Sequence, residues 1–204
     1  HPTCISTYGR LVSMCETESE INGFTITGQG SEGYGSGIKS YFASPTFKNI
    51  VVHSNVAPMG DEGGGLCAYS SNITIDNSSF YENTTMNSSG GGISAFLSNL
   101  NISNTSIYDN NVESGNGGGI WIDEGYANLS NVELYSNQSA DKGGAIYIED
   151  GSITINESTI YNNNNLSPYY GKGGAIYAKS EYPNVTNIEI NNSEISENYS
   201  ASGG

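Results

Sequence analysis

The chain has 204 residues with six basic and 21 acidic side chains, for a formal net charge of −15. That balance argues against nucleic acid and anionic membranes as partners, since both select clustered Lys and Arg. No apolar run approaches the ~18 residues that a membrane-spanning helix needs, so direct membrane insertion is not expected.

Residues 1–19 read as an irregular N-terminal coil. The chain begins with His rather than Met and shows no secretory leader, which points to a processed or partial chain. Cys4 and Cys15 flank a short segment and are the candidate disulfide of an extracellular protein. Cys67 is the odd third cysteine. It falls in an outward slot, either as a thiol among polar neighbours or as the partner of Cys4, Cys15 or another chain.

From residue 20 to residue 204 the chain repeats. The segment Glu20-Ile21-Asn22-Gly23-Phe24-Thr25-Ile26-Thr27 opens the pattern, and six units follow. Each carries an Ile or Leu after a Gly-rich step (Ile38, Leu66, Ile93, Ile120, Ile146, Ile176) and closes on an Asn (Asn55, Asn83, Asn110, Asn137, Asn163, Asn198). The gap from the first to the second is 17 residues in five units and 22 in the sixth, while the gap to the next unit varies from 9 to 13. A rigid segment alternating with a tolerant one is the signature of a solenoid.

Inside the rigid segment the period is two. Ile146 and Ile148 alternate with Tyr147, and Ile153 and Ile155 alternate with Thr154. Alternation with β-branched residues predicts short, half-buried strands. Gly, Asn and Ser interrupt every window of about ten residues, too often for a stable helix. The expected fold is all-β, a parallel β-helix of about seven coils, each of roughly 27 residues. Six residues before the closing Asn stand Asn49, Asn77, Asn104, Asn131, Glu157 and Asn192. Stacked in register, this column would form an inward hydrogen-bonded ladder.

The repeats resemble those of the chlamydial polymorphic outer-membrane proteins, within the right-handed parallel β-helices of the pectin-lyase-like superfamily. Gly143-Gly144-Ala145-Ile146 and Gly173-Gly174-Ala175-Ile176 carry one motif of that family, and Phe80-Tyr81-Glu82-Asn83 carries the other. The resemblance implies a surface-exposed passenger with adhesive roles. The superfamily includes lyases, adhesins and structural proteins alike, so it specifies fold far more than function.

Asn-x-Ser/Thr occurs at 13 of the 26 Asn residues. With Ser and Thr at 43 of 204 positions, chance would give about five or six, and the excess suits an N-glycosylated extracellular protein. Asn77, Asn83 and Asn104 carry the triplet as well, but Asn77 and Asn104 belong to the expected inward ladder and should stay bare. The candidate acceptors are Asn72, Asn87, Asn101, Asn128, Asn137, Asn156, Asn165, Asn184, Asn191 and Asn198. Asn101 and Asn128 lie in outward slots and Asn87 and Asn165 in variable loops, so those four should carry sugar first.

Two aromatic columns face outward. Tyr81, Tyr108, Tyr135 and Tyr161 read as a stabilising stack, with His53 in the same slot. Trp121, Tyr147 and Tyr177 are the candidate ligand or interface strip. Asp123-Glu124 and Glu149-Asp150 occupy equivalent places in adjacent coils. They read as solvated acids beside Lys179. Weaker alternatives are a Ca²⁺ site and a carboxylate pair for glycoside cleavage. No other cofactor and no catalytic constellation is legible.

The resulting expectation is a non-enzymatic, extracellular or cell-surface structural or adhesive element that self-associates or stacks end to end into a filament. A polysaccharide-binding adhesin, or a polysaccharide lyase or glycoside hydrolase on the same scaffold, is the alternative. Carbohydrate and a host surface are the expected external partners.

Overall fold

The period-two segments form strands, and three of them make up one turn. The computed structural model describes residues 12–15, 18–29, 37–58, 62–169, 171–181 and 183–202. Among these residues there is no helix. The first strand of each turn (Ile93–Phe96, Ile120–Asp123 and their equivalents) joins a seven-stranded sheet. The second and third strands, with a two-residue strand after each closing Asn, form a 17-stranded sheet. Two turns fuse their second and third strands through the corner, as Asn99–Tyr108 and Tyr126–Tyr135.

Successive turns pair in parallel with like residue on like. Ile93 lies between Leu66 and Ile120. Ile102 lies between Ile75 and Leu129, and Ile107 between Phe80 and Leu134. Five complete turns run from Ile38 to Ile176, with partial ones at each end, so the complete coils are fewer than the seven expected. Val12–Cys15 pairs in register with Ile38–Tyr41. The sheet therefore extends to Val12–Cys15, within residues 1–19 that were expected to be irregular. The expected Cys4–Cys15 disulfide falls outside the described residues at Cys4, and Cys15 is placed through its backbone.

The inward columns form one continuous core. Phe47, Ile75, Ile102, Leu129 and Ile155 are fully or almost fully buried, and truncating any one to Ala would cost about 2–5 kcal/mol. In the last described turn the equivalent Ile190 and Ile195 are each 42% exposed.

Four positions per turn take a left-handed backbone, one of them a Gly. Asn49, Asn77, Asn104 and Asn131 hold one of them, with φ between 47° and 54°, a conformation Asn tolerates better than most residues. Their amides bond from turn to turn: Asn77 donates to Asn49 Oδ1 at 2.6 Å and Asn131 to Asn104 Oδ1 at 2.9 Å. Asn104 donates to Asp76 Oδ1 instead of Asn77, so the expected ladder exists only in part, and it stands on an exposed corner and not inside.

The inward ladder is built by the closing Asn column. Asn55, Asn83, Asn110 and Asn137 each donate Nδ2 to the Oδ1 of the next, at 2.9–3.0 Å. Each also donates Nδ2 to a carbonyl in the preceding turn, Asn83 to Val52 O and Asn110 to Phe80 O. A buried polar column persists only when its groups are satisfied.

Candidate ligand-binding face

The outward side of the seven-stranded sheet carries two columns. One runs Lys39, Cys67, Ser94, Trp121, Tyr147, Tyr177; the other runs Tyr41, Tyr69, Phe96, Asp123, Glu149, Lys179. Where the first column is small the second is aromatic, and where the first turns aromatic the second turns charged. The ring surface thus crosses the face diagonally between Phe96 and Trp121.

Tyr41 and Tyr69 stack at 4.6 Å between centroids, and Tyr69 meets Phe96 at 5.4 Å. Phe42, at a positive-φ corner, closes edge-on against both tyrosines. The sequence reading did not single out this column, although the alternation that placed Trp121 also places Tyr69 and Phe96 outward. Tyr147 and Tyr177 stack at 5.4 Å. Lys142, from the preceding loop, sits 5.3 Å over the Tyr177 ring.

Strand parity places Cys67 and Tyr147 outward, but both are buried, at 7% and 4% exposure. The variable loops fold back along this face. Ser94, for example, donates to the loop carboxylate of Glu62 at 3.3 Å. Cys67 is therefore not a thiol on an open outward slot, and Tyr147 is not itself a ligand platform. Trp121 and Tyr177 remain partly exposed.

The acidic end is organised around Glu149. Tyr147 Oη donates to Glu149 Oε2 at 2.6 Å, and Lys179 Nζ donates to Glu149 Oε1 at 2.5 Å. Lys179 also bridges to Glu181 at 2.5 Å. Burial works to raise the Glu149 carboxyl, but the hydrogen bonds from Lys179 and Tyr147 outweigh it and hold the group below its ordinary range. Burial, then the hydrogen bond to Glu149, pushes the Tyr147 phenol well up. Asp123 sits beside Glu149 on the neighbouring strand. Burial, followed by repulsion from Glu149, Glu124, Asp150 and Glu62, pushes its carboxyl up to about 6.

The four acids of the Ca²⁺ alternative, Asp123, Glu124, Glu149 and Asp150, have separate surroundings. Glu124 and Asp150 stand at positive-φ corners, Asp150 Oδ1 accepts from the Glu181 backbone at 2.6 Å, and Glu149 is neutralised by Lys179. Among the described residues no group of three or more acidic, His or Cys side chains is placed to hold a metal.

On the third-strand face His53, Tyr81, Tyr108, Tyr135 and Tyr161 stack at 4.7–5.0 Å with near-parallel rings. The glycosylation candidates divide by burial. Asn72, Asn87, Asn101, Asn128 and Asn184 are exposed, and Asn156, Asn191 and Asn198 partly so. Asn137 and Asn165 are fully buried. Asn137 belongs to the inward ladder, and Asn165 points inward and donates to Ser200 Oγ at 3.1 Å. Both are corrections, because neither amide has room for sugar in this packing.

A family model described as a right-handed beta helix region matches residues 10–203. The chain belongs to the right-handed β-helix family. No curated protein and no solved structure matches it. Handedness follows the general rule for parallel crossover connections, and the variable loops of this β-helix gather beside the first-strand face.

Proposed function

We propose that this β-helix is a non-enzymatic extracellular or cell-surface rod that engages polysaccharide or a neighbouring surface through its first-strand face. The observation that carries the reading is the diagonal of partly exposed rings, from Tyr41, Tyr69 and Phe96 to Trp121 and Tyr177, on a rigid parallel sheet. Flat rings at strand spacing suit the apolar faces of sugars, and the flanking Glu149, Lys179 and Lys142 supply polar contacts.

The test is binding to immobilised neutral and acidic polysaccharides. The Trp121→Ala and Tyr69→Ala variants should each bind at least about tenfold more weakly while keeping the β-sheet spectrum. Unchanged binding in both variants would remove this face from the reading.

A second reading has its own observation. Asp123 is raised and Glu149 is lowered on adjacent strands, the divergence expected of an acid and its partner carboxylate. Against it, Glu149 is held by Lys179 and Tyr147. Polysaccharide cleavage by the wild-type chain that disappears in both Asp123→Asn and Glu149→Gln would establish this reading in place of the first.

A further inference from the structure

The 13 sequons occupy distinct places on the coil. Asn83 and Asn137 lie in the inward ladder and are fully buried. In Asn83, Nδ2 donates to Asn110 Oδ1 and Val52 O. In Asn137 it donates to Asn163 Oδ1 and Ile107 O. Asn198 spends the same nitrogen on Ile160 O and Ser196 O. Asn165 is buried beside Ser200. Attaching sugar to any of these would remove an amide hydrogen that is already bonded and would force the coil open.

The outward side of the second strand is the opposite case. Asn72, Asn101 and Asn128 are exposed there, each between buried inward neighbours such as Leu100 and Ile102, or Ala127 and Leu129. Asn101 and Asn128 are register partners. Asn156 and Asn191 continue the same face at the next two turns, and Asn77 and Asn104 flank it at the exposed corner. Seven of the 13 sequons thus share one side of the rod. The strands of the first-strand face and the Tyr81–Tyr161 column carry none, while the exposed Asn87 and Asn184 lie in loops outside the second-strand face. Register decides this, because each column repeats its chemistry from turn to turn.

We propose that the second-strand face is an N-glycosylation face, with Asn72, Asn101 and Asn128 as its principal acceptors, and that the strands of the first-strand face and the tyrosine column carry no sugar of their own. This rests on the extracellular reading given above. The co-reactant is a lipid-linked oligosaccharide pyrophosphate. The Asn Nδ2 forms a bond to the sugar C1 and loses a proton, while the C1–O bond breaks and the lipid pyrophosphate leaves with the electron pair. The sugar then projects from the 17-stranded sheet, whereas Trp121 and Tyr177 stand on the seven-stranded one.

The experiment is to secrete the full chain from a eukaryotic host and remove glycans enzymatically in heavy-oxygen water, so that each occupied Asn becomes a labelled Asp for peptide mapping. Label is expected at Asn72 and at Asn101 or Asn128, and none at Asn83, Asn137 or Asn165. Label at a buried Asn in folded protein, or none on the second-strand face, overturns the proposal. The Thr74→Ala/Ser103→Ala/Ser130→Ala variant removes three sequons without altering the Asn side chains. It should lose the corresponding glycan mass and keep wild-type polysaccharide binding. If the map is as expected but no polysaccharide binds, the functional reading fails and the glycan face stands. If binding persists on a chain with no sugar at these sites, the glycan face fails alone.

Discussion

Asn83 donates its side-chain amide to Asn110 Oδ1 at 3.0 Å, and the Asn83 backbone N–H donates to the same oxygen at 3.1 Å. Asn110 in turn donates to Phe80 O at 2.9 Å and to Asn137 Oδ1 at 3.0 Å. One fully buried side chain therefore ties three turns together and leaves none of its own hydrogen-bonding capacity unused.

Replacing Asn110 with Ala would strand the Asn83 donors and Phe80 O in a dry interior. Each unsatisfied group costs about 1–3 kcal/mol, so a loss of at least about 3 kcal/mol is expected in denaturant unfolding. The comparison is Asn104→Gly, which keeps the positive φ on the exposed corner. Water can replace its bonds to Asp76 and Asn131, and the cost should stay below about 1 kcal/mol. Equal losses would mean the two ladders are equivalent.

Gly118 and Gly119 are neighbours with different tolerance. A Cβ on Gly118 would meet Gly144 O at 2.3 Å and the Gln138 backbone at 2.6 Å. The first belongs to the next turn and the second to the strand after Asn137, and neither backbone can move without spreading the strands. At Gly119 the nearest atom is Ala145 O at 2.9 Å, and the next two turns carry Ala145 and Ala175 at the equivalent place. Gly118→Ala should lower stability by about 2 kcal/mol or more, and Gly119→Ala by less than about 1. Thermal melts of the two variants make the comparison directly.

How much of this was legible follows from where each signal lies. The solenoid was plain because a period of two and a fixed 17-residue gap together leave few alternatives. The columns of Trp121 and Tyr108 came from the same parity. The interior of the closing Asn did not, because Asn is ordinarily a turn residue and only stacking shows that its copies satisfy one another. The burial of Cys67 and Tyr147 was likewise hidden, since parity places both outward and does not tell what packs over them. The Tyr41, Tyr69 and Phe96 column was available from parity but was masked by the more regular tyrosine run.

That tyrosine run supports a graded prediction. Tyr135 stacks on Tyr108 at 4.7 Å and on Tyr161 at 5.0 Å, whereas Tyr161 has one ring contact within the column. With each stacked pair contributing about 0.5–1.5 kcal/mol beyond burial, Tyr135→Ala should cost roughly twice as much as Tyr161→Ala. Burial, then the neighbouring Tyr108 and Tyr161, pushes the Tyr135 phenol up to about 12. In ultraviolet titration, the phenolate signal missing from Tyr135→Phe should rise with a midpoint near that value. A midpoint at the ordinary tyrosine value would show that the stack is open to water.

Asp123 gives the rod a pH dependence whose sign can be worked out. Its carboxyl is raised from 3.8 to about 6 in the folded chain. Between those values the folded state holds more protons than the unfolded state, so this group's contribution to stability falls as pH rises through the window. Above it, the ionised carboxylate stays partly buried and under the repulsion of Glu149, Glu124, Asp150 and Glu62. Asp123→Asn removes that charge. Its melting temperature should exceed that of wild type at pH 7.5, and the difference should shrink toward zero as the pH falls below the unfolded value. Glu149 acts in the opposite sense. Its carboxyl is held low by Lys179 and Tyr147, so its contribution is present at neutral pH and is lost in acid. Lys179→Met should therefore destabilise at pH 7.5, where burial of Glu149 is no longer offset, and have much less effect in acid. If Asp123→Asn melted below wild type at pH 7.5, burial and repulsion would not govern this end of the face, and Asp123 would have to be stabilised there as a carboxylate.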